Sequence, residues 1–319
     1  MSNIASYYYV KADKLRRHYK RHSSDFKDWE QKKHAEEYLI FNDNIGEYLS
    51  LDETSLSQGE IYTYLTNKSG KGKKKTLVAC IKGTKANDIS DVINKIPLEE
   101  RLKVKEVTLD MARNMEAAIL KSFPNASIVT DRFHVVKLVL DAVQHLRIKL
   151  RWEAIDNENE AIKEAKENGL RYTSKEFENR DTPKQLLARS RYVLAKKEAK
   201  WTENQKQRAL ILFREFPQLK KAYNHCMKLR NIYENTSKSK ADHLLNQWIK
   251  DTDKLEIKEF NTSANSIIYN KENILNFFHN RSTNANAESF NSKIKQFRAN
   301  LRGVTDITFF LFRLTKLFA

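Results

Sequence analysis

Apolar positions repeat every second residue through the first part of the chain and every third or fourth residue through the rest. "EYLSLDETS" and "IYTYLTN" alternate apolar and polar side chains, and the Gly-rich basic stretch "KSGKGKKK" then leads into "TLVACIKG". β-branched and aromatic residues on both sides of a glycine turn predict a hairpin, with lysines of the turn contacting backbone. The turn lacks the G-x-x-x-x-G-K-[ST] order of a phosphate loop. "NDISDVINKI" reads as a helix ending at Pro97, "VKEVTLD" as a strand and "MARNMEAAILKSF" as a helix. Pro124 and Asn125 then turn the chain into a fifth strand, "ASIVTD". Three antiparallel strands followed by strand–helix–strand alternation predict an α+β or α/β domain, a mixed five-stranded sheet with right-handed crossovers and flanking helices.

Residues 140–280 show helical periodicity almost throughout, with breaks near Gly169, Pro183 and Pro217 and no strand signal stronger than "SIIY". This is an all-α block. A polar lead then enters the amphipathic "STNANAESFNSKIKQFR", and "VTDITFFLFRLTKLFA" reads as a core helix, too short and too interrupted by Arg313 and Lys316 to span a membrane. Residues 1–45 carry mixed charge and aromatics and predict one or two short helices broken at Ser23, Ser24 and Asp25. Two readings of that arm stay open, a DNA-contacting segment and a surface helix pair. The expected organisation is therefore a helical arm (1–45), a mixed-sheet region (46–139), a helical block (140–280) and a closing pair of helices, the amphipathic one and the C-terminal one (281–319).

Charge changes the picture. Lys and Arg number 58 against 41 Asp and Glu, a net +17 over 319 residues. An excess this large points to a polyanionic partner, most simply nucleic acid, against the plainer reading of a solvated basic surface. Only 7 Gly and 4 Pro interrupt the chain, which favours long helices. Cys80 and Cys226 stand far apart without zinc-finger or disulfide spacing, as expected in a reducing cytosol. "MSNIASYYYVKADKLRRHYKRH" lacks the apolar segment of a signal peptide.

Acids end the predicted strands. Asp52 closes the first and Asp110 the fourth; if those strands are parallel neighbours, both carboxylates leave the same sheet edge. Hard oxygen ligands a few ångströms apart suit Mg²⁺ rather than zinc. Two such ions activate a water or hydroxyl and stabilise the leaving oxygen at a phosphodiester. A third acid from a helix is met by Glu288, on a helix that Ser282 or Thr283 could cap. Asn291, Ser292 and Lys295 share its face, while Phe290, Ile294 and Phe297 form the apolar side. "IVTDRFHVVKLV" adds Asp131 and His134 at the end of the fifth strand, as DNA-contacting groups, as supports for the acids or as helix caps.

The order "SLDETS", "VTLDMARNM", "FPNASIVTDRFHVVK", "NANAESFNSKIK" resembles the DDE transposases of bacterial insertion sequences, nearest the L-three (ISL-type) group. The resemblance runs over about residues 46–310, and the block from Pro124 to Lys137 is its most distinctive part. It implies an RNase H-like catalytic domain split by the helical insertion before its last catalytic helix. By position it implies Asp52, Asp110 and Glu288 as catalytic acids and metal ligands. Glu288 and Lys295 show the E-(6)-K spacing in which the lysine contacts DNA at the transposon end. The arginine that precedes the glutamate in some relatives is replaced by Asn284. No Cys/His cluster precedes the first strand, so end recognition is expected from a separately encoded protein, from a missing part of the chain, or from residues 1–45 and the insertion.

The expected activity is that of a transposase catalytic subunit in a bacterial cytoplasm, nucleoid-associated when on DNA. It would cut at insertion-sequence ends and transfer the 3′-hydroxyl to target DNA, using two Mg²⁺ ions with Mn²⁺ as substitute. Its partner is double-stranded DNA, held by a homodimer or larger assembly. A nuclease or resolvase that only hydrolyses is the enzymatic alternative, and an inactive DNA-binding relic the other. Trp152, Trp201 and Trp248 of the insertion are expected mainly in its core.

Overall fold

The chain is described by a computed structural model covering residues 2–57 and 59–319. Alternation becomes strands where expected. β1 (Tyr38–Ile40), β2 (Tyr48–Ser57), β3 (Glu60–Asn67), β4 (Leu77–Lys82), β5 (Glu106–Leu109) and β6 (Ser127–Thr130) form one sheet in the order β1-β4-β3-β2-β5-β6. The pairs β1–β4, β4–β3 and β3–β2 are antiparallel, whereas β2–β5 and β5–β6 are parallel. The sheet thus has six strands rather than five. The extra edge strand is three residues long, too short to show a period of two inside the mixed-charge arm, and its pairing with β4 makes it a strand.

Each face of the sheet is covered. Leu49, Leu51, Leu65, Val107, Leu109 and Ile128 point to one side and pack on helices Ala86–Ile93 and Arg113–Ser122 through Ile89, Ile93, Met115 and Ile119. Tyr62, Tyr64, Leu77 and Cys80 point to the other, against Phe290 and Ile294 of the helix Ala285–Asn300 and Leu311 and Leu314 of the C-terminal helix Ile307–Phe318. The arm helix Ala12–His18 continues into a π-helical turn, Tyr19–Ser23. Phe26, with Tyr19 and Trp29 beside it, packs on Phe309 and Phe312 of the C-terminal helix. The arm is therefore part of the first compact unit, which comprises residues up to Asp131 together with Ser282–Ala319.

The second unit, Arg132–Arg281, is helical. It begins at the helix Arg132–Glu167, earlier than residue 140, because β6 runs straight into that helix. The helix stops where Gly169 turns left-handed (φ +68°) and Leu170 N–H reaches back to the Ala165 carbonyl, the usual role of a C-terminal glycine. Pro183 and Pro217 each open a helix, where the missing N–H costs nothing. "SIIY" lies in a helix, Asn261–Tyr269, rather than a strand. Trp248 is buried and Trp201 half-buried, while Trp152 is 58% exposed. No helix among the described residues is long and apolar enough to cross a membrane.

His225 sits in the core of this unit, stacked on Trp248 at 4.4 Å with Nε2 2.7 Å from Thr252 Oγ1. Burial, assisted by the Lys228 charge, lowers its pKa to about 4. A histidine held neutral below its free value near 6.5 favours the folded state fully above that pH, and the contribution is lost as pH falls towards 4. Urea midpoints are expected to fall between pH 6.5 and 4, and His225→Gln to flatten that dependence. An unchanged slope in the variant would assign the pH response to other groups.

Candidate active site

Three adjacent parallel strands bring acids to one region. β2 and β5 pair through Ser50↔Thr108, and β5 and β6 through Leu109↔Thr130. Asp52 lies two residues past the last β2–β5 pair, and Asp110 and Asp131 immediately follow their strands. Because side chains alternate and Leu51, Leu109 and Ile128 belong to the opposite core, Asp52 faces the helix Ala285–Asn300, and Asp110 and Asp131 continue the same alternation. Asp52 does not end its strand. β2 runs on to Ser57 because β3 still pairs with it there, Asp52 opposite Tyr64 and Ser57 opposite Glu60, after β5 has stopped.

The helix that covers this face starts one residue later than a Thr283 cap would place it, and two later than a Ser282 cap. Its N-cap is Asn284, which is fully buried and whose backbone N–H lies 3.4 Å from Asp131 Oδ1. Glu288 follows in the first turn, exposed, where the helix dipole favours a negative charge. Asp131 and Glu288 present carboxylate oxygens within 4.8 Å of each other. Asp52, Asp110 and Glu288 form no group that tight among the described residues. Asp52 is engaged instead by Asn291, whose Nδ2 donates to Oδ2 at 2.7 Å, and by the Glu53 N–H on Oδ1 at 2.8 Å. Asp110 Oδ1 accepts the Ala112 N–H at 2.8 Å, holding the entry to the helix Arg113–Ser122. Phe290 and Ile294 are buried as expected, and Ser292 and Lys295 are exposed. His134 lies half-buried in the first turn of Arg132–Glu167, in the second unit, its ring edge-on to Phe133 at 5.4 Å.

Two groups escaped the sequence reading. Lys68, assigned to a turn, swings its ammonium onto the sheet, where it pairs with Glu106 at 2.9 Å and donates to Thr108. Burial lowers its pKa, while the charges of Glu106 and Asp131 oppose that shift. The turn backbone is contacted from outside: Lys293 Nζ donates to the Gly72 carbonyl at 2.6 Å and Asn286 to that of Lys68 at 3.2 Å. Gly72 is favoured by its φ of +68°; a Cβ there would lie 2.9 Å from Lys293 Nζ, the mobile end of a side chain that can move aside. Glu53 is the second group. Burial raises its pKa and the Asp110 charge adds to the rise. A second acid directly after Asp52 was the available signal.

The donors suit a hard cation. Carboxylates dominate, and the Asn291 Oδ1 and both side-chain polar atoms of Asn284 are buried without a hydrogen-bond partner among the described residues. Both cysteines are buried. Oxygen-rich sites of this composition take Mg²⁺, Mn²⁺ or Ca²⁺ rather than thiophilic metals.

A family model described as a DDE transposase of the ISL3 type matches residues 49–314. The chain belongs to the ISL3-type DDE transposase family. No curated protein and no solved structure was found to match it. The family match starts within β2, three residues before Asp52, and ends within the C-terminal helix, so it takes in all four acids and the helical unit of this transposase.

Proposed function

We propose that this transposase cuts DNA at insertion-sequence ends and joins the freed 3′-hydroxyls to target DNA, with Asp52, Asp110 and Glu288 as its catalytic acids. One observation carries the reading: acids from three neighbouring parallel strands meet a helix that brings Glu288 and Asn291 to Asp131 and Asp52. The strand order β4-β3-β2-β5-β6, with β3 antiparallel, supports an RNase H-like core to which β1 is added. Asp52, Asp110 and Glu288 would hold divalent metal, which lowers the pKa of the attacking water and offsets charge at phosphorus.

In cutting, a water oxygen attacks phosphorus in line. The bond from phosphorus to the 3′-oxygen breaks, the water yields a proton to base, and the 3′-oxygen takes one up. In joining, that 3′-hydroxyl loses its proton and attacks a target phosphodiester, whose own 3′-oxygen leaves as a hydroxyl. One P–O bond forms for each one broken. Asn291 fixes one Asp52 oxygen, Lys295 holds a DNA phosphate, and Asp131 holds the start of the Glu288 helix. Joining two ends calls for a dimer or larger assembly on DNA.

The proximity of Asp131 to Glu288 favours a second assignment, with Asp131 in place of Asp110. Cleavage and strand-transfer assays with Mg²⁺ or Mn²⁺, on duplexes carrying the flanking repeats of the encoding locus, separate the two. Asp110→Asn is expected to be inactive and Asp131→Asn to retain activity. The reverse pattern would transfer the role to Asp131, and wild type that cuts without joining would make this a nuclease.

A further inference from the structure

The arm and the C-terminal helix enclose a cavity of about 350 Å³ that the acid site does not use. Arg16, Arg17, Lys20, Arg21 and Arg313 line it against one carboxylate, Asp306. That acid is already committed, since it caps the C-terminal helix through the Phe309 N–H and pairs with Lys20. Arg17, Arg21 and Arg313 have no ion pair with a carboxylate among the described residues, and Arg313 lies over the Phe297 ring at 4.9 Å. Burial lowers the Arg313 pKa, Tyr19 opposes the shift and Arg16 adds to it, so this guanidinium is held partly out of water beside another cation. Arg16 and Lys20, and Arg17 and Arg21, are also like-charge neighbours one helical turn apart, a spacing that destabilises an isolated helix. The backbone widens into its π-helical turn at Tyr19–Ser23, where Lys20 and Arg21 enter the cavity, and such turns recur at functional sites.

We propose that this cavity is a phosphate-binding site that grips the DNA backbone away from the acids. The proposal rests on the transposase reading above for the identity of the polyanion. Guanidinium forks match phosphate oxygens in pairs, and unpaired arginines converging on one space are the arrangement that recognises them. The site has a place relative to the chemistry. Leu301, on its wall, follows Glu288 by thirteen residues along one helix, which at the α-helical rise is about 20 Å. A duplex laid along that helix covers about six base pairs over this distance. The grip would therefore fall on DNA flanking the cut and set its register without reading bases.

The test measures full-chain affinity for a duplex of about 40 base pairs carrying the insertion-sequence end, by fluorescence anisotropy across salt concentrations. Arg17→Ala/Arg21→Ala removes two exposed cations, and a thermal melt checks its fold. Each lost phosphate contact should reduce the slope of log affinity against log salt by about 0.9, so the double variant should lose about 1.8 and bind at least about tenfold more weakly near physiological salt. Lys163→Ala/Lys166→Ala, an equal charge loss at exposed sites on Arg132–Glu167, is the control and should leave the slope unchanged. Equal slopes for wild type and the arginine variant, or an equal drop in the control, overturn the proposal. Cutting and joining are scored separately. A chain whose slope depends on the arginines but which never cuts keeps the phosphate site and loses the proposed cutting and joining; a chain that cuts with unchanged slopes does the opposite.

Discussion

Asp52→Asn is expected to reduce single-turnover cutting and joining by at least about 10³-fold, a barrier increase of about 4 kcal/mol. The substitution preserves shape, so its structural cost can be bounded. Among the hydrogen bonds Asp52 accepts are one from Asn291 Nδ2 and one from the Glu53 N–H, one on each oxygen. An amide retains one acceptor oxygen, so one of the two bonds is lost, about 0.5–1.5 kcal/mol of stability. The chemical loss thus exceeds the folding loss by a wide margin, and duplex affinity should hold. Rates measured alongside urea midpoints separate the two effects. A variant that keeps more than a tenth of wild-type activity would remove Asp52 from the catalytic set.

Much of the sheet was legible because its signals are local. β2 to β6 and the helices between them follow from alternation, a glycine turn and two prolines, and the shared face of the acids follows from the period of two. The misreadings arise where a distant partner decides. β1 is a strand only because β4 lies beside it, and Asp52 is mid-strand only because β3 outlasts β5. Asn284 caps its helix with no side-chain hydrogen bond, its N–H directed at Asp131, 153 residues away in sequence, so the search for a local serine or threonine cap found the wrong residue. The "SIIY" run had strand composition, but its surroundings are helical and its Ile267 fills a helical core.

Lys68 belongs to the same class, and its removal carries the largest expected stability effect. Its side chain is 12% exposed and that of Glu106 only 5%. Its pKa lies below the free lysine value because burial outweighs the attraction of Glu106 and Asp131. The sign is informative. At neutral pH the lysine is charged in both folded and unfolded states, so the burial cost is present, and it is relieved only as pH rises through the folded pKa towards about 10.5. The ammonium is therefore not retained for stability. Lys68→Met should nevertheless destabilise the fold by about 3–5 kcal/mol, because it leaves Glu106 buried without its cation. Lys68→Met/Glu106→Leu should recover the wild-type urea midpoint or exceed it, since apolar replacement of a buried pair is often neutral or stabilising. Activity should not recover with it. Asp131, which feels the Lys68 charge, holds the N-terminus of the Glu288 helix, and Lys68 also offers its carbonyl to Asn286 of that helix. A loss of about 10–100-fold in cutting, the range for residues that orient metal ligands, is expected to persist in the restored double variant. Full activity there would show the pair to be structural and leave the acids to organise themselves.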